Sequence, residues 1–404
     1  MAAKPKQIYM PNAVSVDCDR ATSWQEPSAQ MAGDDLAFLR GSKGRAAMAE
    51  GLPLSWVDLF AGCGAMSLGV SEAIAASGFA PRLALGVDVD ANACAVYAAN
   101  FPGAAIRCCD IQQLLGSISD PVLSPIEREL RSKVGDLDLL VGGPPCQGHS
   151  DLNNYSRRHD GRNDLYTYMA RAAHVFRPRA LIVENVQGVP HAKSGVVDQV
   201  TGFLRSSNYT VECRLLDASD FGVPQRRRRH VMFAWKGNSG FDLDAAINRM
   251  RLPSRSVRWA FEDLRDVPPT SLLDQRSSPS PDNRKRIRYL YENGIHDLPN
   301  SQRPPCHRDK VQSYNSVYGR MHWDRPAQTV TSGFYSMCMG RYVHPDREST
   351  ITAHEAARLQ AIPDSFNFTP VRSRTHLATM IANAVPPKLA YVIASAMVEG
   401  IVRR

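Results

Sequence analysis

The chain has 404 residues, enough for a large core and for two domains, and its 43% hydrophobic and 22% charged content is that of an ordinary globular protein. No apolar run approaches the ~18 residues of a membrane span, and the opening MAAKPKQIYM lacks an apolar signal core, so the expectation is a cytoplasmic protein with no membrane partner. A net charge of +8 favours a polyanionic partner, while nine cysteines without a paired CxxC spacing argue against a disulfide framework and against a metal site.

Residues 1–50 mix polar and small side chains and read as a loosely ordered arm with one short helix near Asp35–Arg40. From Ser55 the pattern becomes regular. Trp56 to Phe60 reads as a strand, Ala61-Gly62-Cys63-Gly64 as a tight turn and Met66 to Ala76 as a helix. Leu83 to Asp88 is a second strand, and Ala91 to Asn100 a helix opened by Asp90 as N-cap. A short strand around Ile106-Arg107-Cys108 ends at Asp110. The strand Leu137–Val141, the helix Asp164–Val175, the strand Ala180–Val183, the helix Val196–Arg205 and the strands Val211–Leu216 and His230–Ala234 complete the series. Short apolar strands alternating with helices predict a parallel, doubly wound α/β sheet, whose ligands bind beyond the carboxyl ends of the strands. Between about 240 and 320 the alternation gives way to Pro, Ser and Arg with scattered tyrosines, an irregular region whose basic character suits nucleic acid. Pro386 to Val402 reads as an amphipathic helix with proline in its first turn.

The unusual residues fall at strand ends. In Asp58–Gly64 the glycines stand where backbone passes close to a ligand at a helix N-terminus. Asp88 closes the second strand, where an acid can accept from ribose hydroxyls, and Asp110 closes the third, where it could accept from an adenine amino group. An adenosine cofactor follows, of a kind these residues leave open. Val141-Gly142-Gly143-Pro144-Pro145-Cys146 ends a strand at its prolines and presents Cys146 on a stiff loop, as a reactive thiol or an inert one. Glu184 ends another strand as a candidate acid, and Gln225 with Arg226–Arg229 precedes the next, where a guanidinium can hold a base carbonyl or a phosphate.

Taken together, Asp58–Gly64, Val141–Ser150 with its Pro-Cys-Gln core, Glu184-Asn185-Val186, Gln225–Arg229, Arg325–Thr331 and Asn383–Pro387 resemble, in the same order, the blocks of the DNA (cytosine-5) methyltransferases. The resemblance spans residues 55 to about 400 and implies a Rossmann-like sheet that uses S-adenosylmethionine, with a smaller target-recognition domain. It implies that Cys146 adds to carbon 6 of a cytosine flipped out of double-stranded DNA, with Glu184 at ring nitrogen 3 and Arg229 at the base carbonyl. Arg227 would fix the loop and a phosphate, and Arg226 and Arg228 would face solvent or phosphate. For the cofactor it implies Phe60 on the adenine, Asp88 on the ribose, Asp110 at the adenine amino group and backbone near Gly62 and Gly64 at the methionine end. Pro145 and Asn383 would line the methyl-donor side. The expected division is an arm at 1–50, a catalytic domain at 51–240 plus 378–404 and a target-recognition domain at 241–377, acting as a monomer without an obligate protein partner. Ala65, Cys109 and Ala382 replace common glycines of the family, small for small, and His149 stands where a phenylalanine is usual. An RNA cytosine-5 methyltransferase keeps the same chemistry but lacks support in the 241–377 region. A silent nucleic-acid binder is at odds with Cys146, Glu184, Arg227 and Arg229 standing together.

Overall fold

The apolar runs of the sequence become the strands of one seven-stranded sheet: β1 (Pro53–Leu59), β2 (Ala80–Asp88), β3 (Ile106–Cys108), β4 (Leu139–Gly142), β5 (Ala180–Val186), β6 (Tyr209–Asp217) and β7 (Arg228–Lys236). In chain order the helices are α1 (Ala29–Leu39), α2 (Ala65–Ala76), α3 (Ala91–Asn100), α4 (Pro125–Val134), α5 (Thr167–Phe176), α6 (Val196–Ser206), α7 (Leu243–Asn248), α8 (Val257–Phe261), α9 (Pro281–Glu292), α10 (Ala353–Leu359), α11 (Arg374–Asn383) and α12 (Pro387–Val402). This computed structural model describes residues 29–42, 51–145, 165–191, 195–237, 240–308 and 316–402.

The strand order is β3-β2-β1-β4-β5-β7-β6. The chain runs outward from β1 to β3, then returns to place β4 on the other side of β1, with Leu59 opposite Gly142. Such a reversal opens a crevice beyond the carboxyl ends of β1 and β4. The sheet is mixed rather than wholly parallel, because β7 runs antiparallel to both β5 and β6. The physical reason lies in residues 218–227. A parallel return needs a crossover of a dozen or more residues, whereas this connection folds straight back, with Ala218 N–H donating to the Arg227 carbonyl at 2.9 Å.

Alternation along the strands feeds two faces. Leu139, Val141, Ala180 and Ile182 join α2, α7 and α12 on one side. Leu140, Leu181 and Val183 join α4, α5 and α6 on the other. Helix α12 lies against α2 at Gly69, where an added Cβ would stand 2.2 Å from the Pro387 carbonyl oxygen. The stretch Arg374–Val402 is apolar enough to cross a membrane by length and composition, yet 72% of that window is buried inside the protein, as in a core helix. A third cluster joins α8, α10 and α11 to Cys63, Leu68 and Val96 near the start of the chain's regular part. A fourth, small one gathers Ile287, Leu290, Leu298, Tyr318 and Val343. Helix α4 went unpredicted although Ser124-Pro125-Ile126-Glu127 spells a capping box, which the structure forms. Helix α1 is longer than expected and is held by Asp35, paired with Arg255 at 3.0 Å and Lys388 at 2.8 Å.

Candidate active site and cofactor crevice

The floor of the crevice is the turn from β1 into α2. Phe60, Gly62 and Gly64 all carry positive φ, at 56°, 53° and 90°. Glycine takes this conformation freely, while Phe60 does so under strain, which is held here by the surrounding bonds. Ala61 N–H donates to the Val87 carbonyl at 3.0 Å, and Gly62 N–H to Asp88 Oδ2 at 2.7 Å. A side chain on Gly64 would strike Phe101 and Tyr97, at 2.9 and 3.0 Å, whereas beyond Gly62 lies open space. Gly64 caps α2 without a side-chain hydrogen bond, and no acid stands in the first turn, an arrangement suited to a carboxylate.

Asp88 accepts one N–H on each oxygen, from Gly62 and, at 2.9 Å, from Asp90, leaving one lone pair on each for a diol. Asp110 accepts from Gln112 N–H at 2.9 Å and is partly exposed. Phe60 is half-buried at the same edge, and Pro145 and Asn383 are exposed, at the exit of β4 and the last position of α11. Carboxylates, an aromatic face and a bare helix N-terminus together are a donor and acceptor set that fits S-adenosylmethionine. Beneath the floor lies a residue the sequence did not single out for its burial. Asp58 is 1% exposed and accepts from Ser67 Oγ at 2.6 Å and Tyr97 OH at 3.3 Å. Burial, softened by those two bonds, pushes its carboxyl up to about 7.

At the neighbouring strand ends, the reversal of β7 brings its first residues beside the last of β5, with Val186 opposite Arg229. Arg229 Nε pairs with Glu184 Oε1 at 2.7 Å, both side chains largely buried. Asn185 Nδ2 donates to the Pro144 carbonyl at 3.1 Å, and a Cβ on Gly143 would stand 3.4 Å from Glu184 Oε2. Glu184, Arg229 and the root of the β4 loop therefore share one corner. Cys146 and His149 lie outside the described residues; the loop is described as far as Pro145.

Arg227 faces the other way. It is 2% exposed, and its guanidinium donates to the carbonyls of Ala382 at 2.8 Å, Ala384 at 3.2 Å and Val330 at 3.4 Å. The expected phosphate contact does not match this inward orientation; Arg226 and Arg228 are the exposed members of the run. Burial and the like charge of Arg229 both press the Arg227 guanidinium below its usual range, so the carbonyls around it hold the charge. Gln225, fully buried, works alongside. Its Oε1 accepts from Val330 N–H at 2.7 Å and its Nε2 donates to Gln360 Oε1 at 2.8 Å. Gln360 Nε2 in turn reaches the Ile381 carbonyl at 2.8 Å. These two amides and Arg227 tie the Arg325–Thr331 block to the approach to Asn383.

A family model of C-5 cytosine-specific DNA methylases matches residues 54–399. The chain is 43% identical over 338 residues to type II methyltransferase M1.BsuMI of Bacillus subtilis (strain 168), covering 83% of this chain and 78% of that protein. It is 29% identical to type II methyltransferase M1.HphI of Haemophilus parahaemolyticus, over 86% of this chain and 87% of the relative. In fold it is similar to the S. pombe Dnmt2 methyltransferase, with a TM-score of 0.60 at 16% identity, covering 87% of this chain and 99% of that one. A crevice shaped for S-adenosylmethionine thus stands on a chain that belongs to the C-5 cytosine-specific DNA methylase family, and the protein is a cytosine-5 DNA methyltransferase with that methyl donor.

Proposed function

We propose that methyl transfer proceeds through a transient bond between Cys146 and carbon 6 of a cytosine turned out of double-stranded DNA. The observation that carries this reading is the Glu184–Arg229 pair at 2.7 Å, beside the root of the loop that bears Cys146. Cys146 attacks as thiolate. Glu184 hydrogen-bonds and protonates ring nitrogen 3, relieving the negative charge that addition would leave on the ring. Arg229 aims Glu184 and directs its other N–H groups to the carbonyl at position 2. Carbon 5 thereby becomes nucleophilic, and after it has been methylated its proton passes to solvent, Cys146 departs as thiolate, nitrogen 3 returns its proton to Glu184 and the aromatic ring is restored. S-adenosylmethionine supplies the methyl group. Phe60 would lie on its adenine, Asp110 at the adenine amino group, Asp88 on the ribose hydroxyls, Gly62 and Gly64 at the methionine end, and Pro145 and Asn383 beside the sulfur.

The inward position of Arg227 supports a positioning role, in which it holds the 382–384 turn and so Asn383. We assign target recognition to the region 241–377, whose basic and aromatic side chains suit DNA, and infer a monomer working in the cytoplasm. Replacing Cys146 with serine leaves the fold and cofactor affinity in place and removes transfer of labelled methyl groups to DNA by more than about a thousandfold. Activity retained in Cys146→Ser overturns the covalent step.

A further inference from the structure

Asp88, Val89 and Asp90 form the connection from β2 to α3, and two thiols sit on it. Cys94 Sγ, in the first turns of α3, donates to the Asp88 carbonyl at 3.5 Å. Cys108, paired with Asp88 in the β2–β3 register, places its Sγ 4.0 Å from the Val89 carbonyl. The two sulfurs thus stand at consecutive carbonyls of one connection. Cys94 is 7% exposed and Cys108 is exposed, so one sulfur of the pair is open to solvent and the other is backed against the cofactor wall. The sequence presented Cys108 as half of an adjacent Cys108-Cys109 pair; the fold instead brings it to Cys94.

We propose that Cys94 and Cys108 form a reversible disulfide site in the wall of the cofactor crevice, closed by peroxide and opened by thiols, and that its closure weakens S-adenosylmethionine binding. The proposal rests on the assignment of Asp88 to the cofactor ribose. Cys108 reacts first because it is exposed: its thiolate attacks one oxygen of hydrogen peroxide, the O–O bond breaks, and the departing hydroxide takes up the proton that the thiol shed, leaving water and a Cys108 sulfenic acid. The Cys94 sulfur then attacks the Cys108 sulfur, and the hydroxyl leaves as water with the Cys94 proton. Peroxide takes the two electrons. Burial, then the neighbouring Cys108 thiol, pushes the Cys94 thiol up to about 12, so Cys94 does not compete for the oxidant. An S–S bond of about 2.05 Å is shorter than any non-bonded contact between two sulfurs, so closure draws the end of β3 toward α3. It also removes the Cys94 donor from the Asp88 carbonyl, shifting the carboxylate that the ribose needs.

The test takes the full-length protein before peroxide, after it, and after subsequent dithiothreitol. Peptide mass mapping under non-reducing conditions should find a Cys94–Cys108 linked peptide lighter by two hydrogens. Calorimetry should find S-adenosylmethionine affinity lowered about tenfold and restored by dithiothreitol. Binding is the readout because peroxide also reaches Cys146. Cys108→Ser should bind normally when reduced and show neither the cross-link nor the loss. Absence of the linked peptide, a Cys108–Cys109 link in its place, a link with unchanged affinity, or the same loss in Cys108→Ser overturns the proposal. Unchanged cofactor affinity in reduced Asp88→Asn would instead overturn the ribose assignment, leaving the cross-link to be judged on its own.

Discussion

Asp58 carries the largest effect of burial on a single acid in this crevice. Its folded carboxyl holds a proton to about 7, whereas the unfolded chain releases it near 3.8. Folding therefore takes up a proton in that window, and the stabilising contribution of this group, fully present below 3.8, is lost as pH rises to about 7. Asp58→Asn stays neutral throughout. Denaturant titrations across that range should show the wild type losing stability relative to the variant, by up to about 1.4 kcal/mol per pH unit. At the reacting corner the expected effect is on rate. Glu184→Gln should slow turnover by about 10²–10⁴-fold with cofactor affinity nearly unchanged, as read by single-turnover methylation and calorimetry. The residue types of this crevice were legible because they stand at or just beyond strand ends, as Asp88 and Asp110 illustrate. The surroundings of Asp58 were not, since Ser67 and Tyr97 reach it from 9 and 39 residues away along the chain.

Among the elements, α4 shows how much a loop can depend on one helix. Arg171 on α5 makes two 2.7 Å bonds to Glu127 on α4, both side chains almost wholly buried, and caps the Asp120 and Val122 carbonyls of the loop that leads into α4. Arg171→Met would strand the Glu127 charge and should cost about 3–5 kcal/mol, while the double variant Arg171→Met with Glu127→Gln should cost less, as measured by urea unfolding. The seam between α2 and α12 is equally tight. Gly69→Val should destabilise by about 1–3 kcal/mol or more, because its Cβ would fall 2.2 Å from the Pro387 oxygen and 2.7 Å from the Ala390 Cβ. Strands and amphipathic helices were readable to within a few residues, as with Ala91–Asn100 and Val196–Ser206, because apolar periodicity records burial. The direction of β7 was not. A strand has the same two-residue period read either way, and only the short fold-back at 218–227 sets its sense.

At the scale of the whole molecule, the +8 charge predicts DNA affinity that falls steeply with salt. Arg226→Ala should weaken binding to all sequences alike and lower the salt slope by about 1, as fluorescence titrations over a salt series would read. The connection of distant blocks was only half legible. The order of motifs announced that the two ends of the chain share a site, but not that Gln225, Gln360 and Arg227 would bind them through the Val330 N–H and the carbonyls at 330, 381, 382 and 384. That architecture has a consequence in time. Residues 387–402 cover the sheet face that α2 begins, so a chain arrested on the ribosome before residue 387 leaves Leu139, Val141, Ala180 and Ile182 without that helix against them. The power to mark DNA is therefore expected late in synthesis, after the strands and motifs have been made, when α12 closes onto α2.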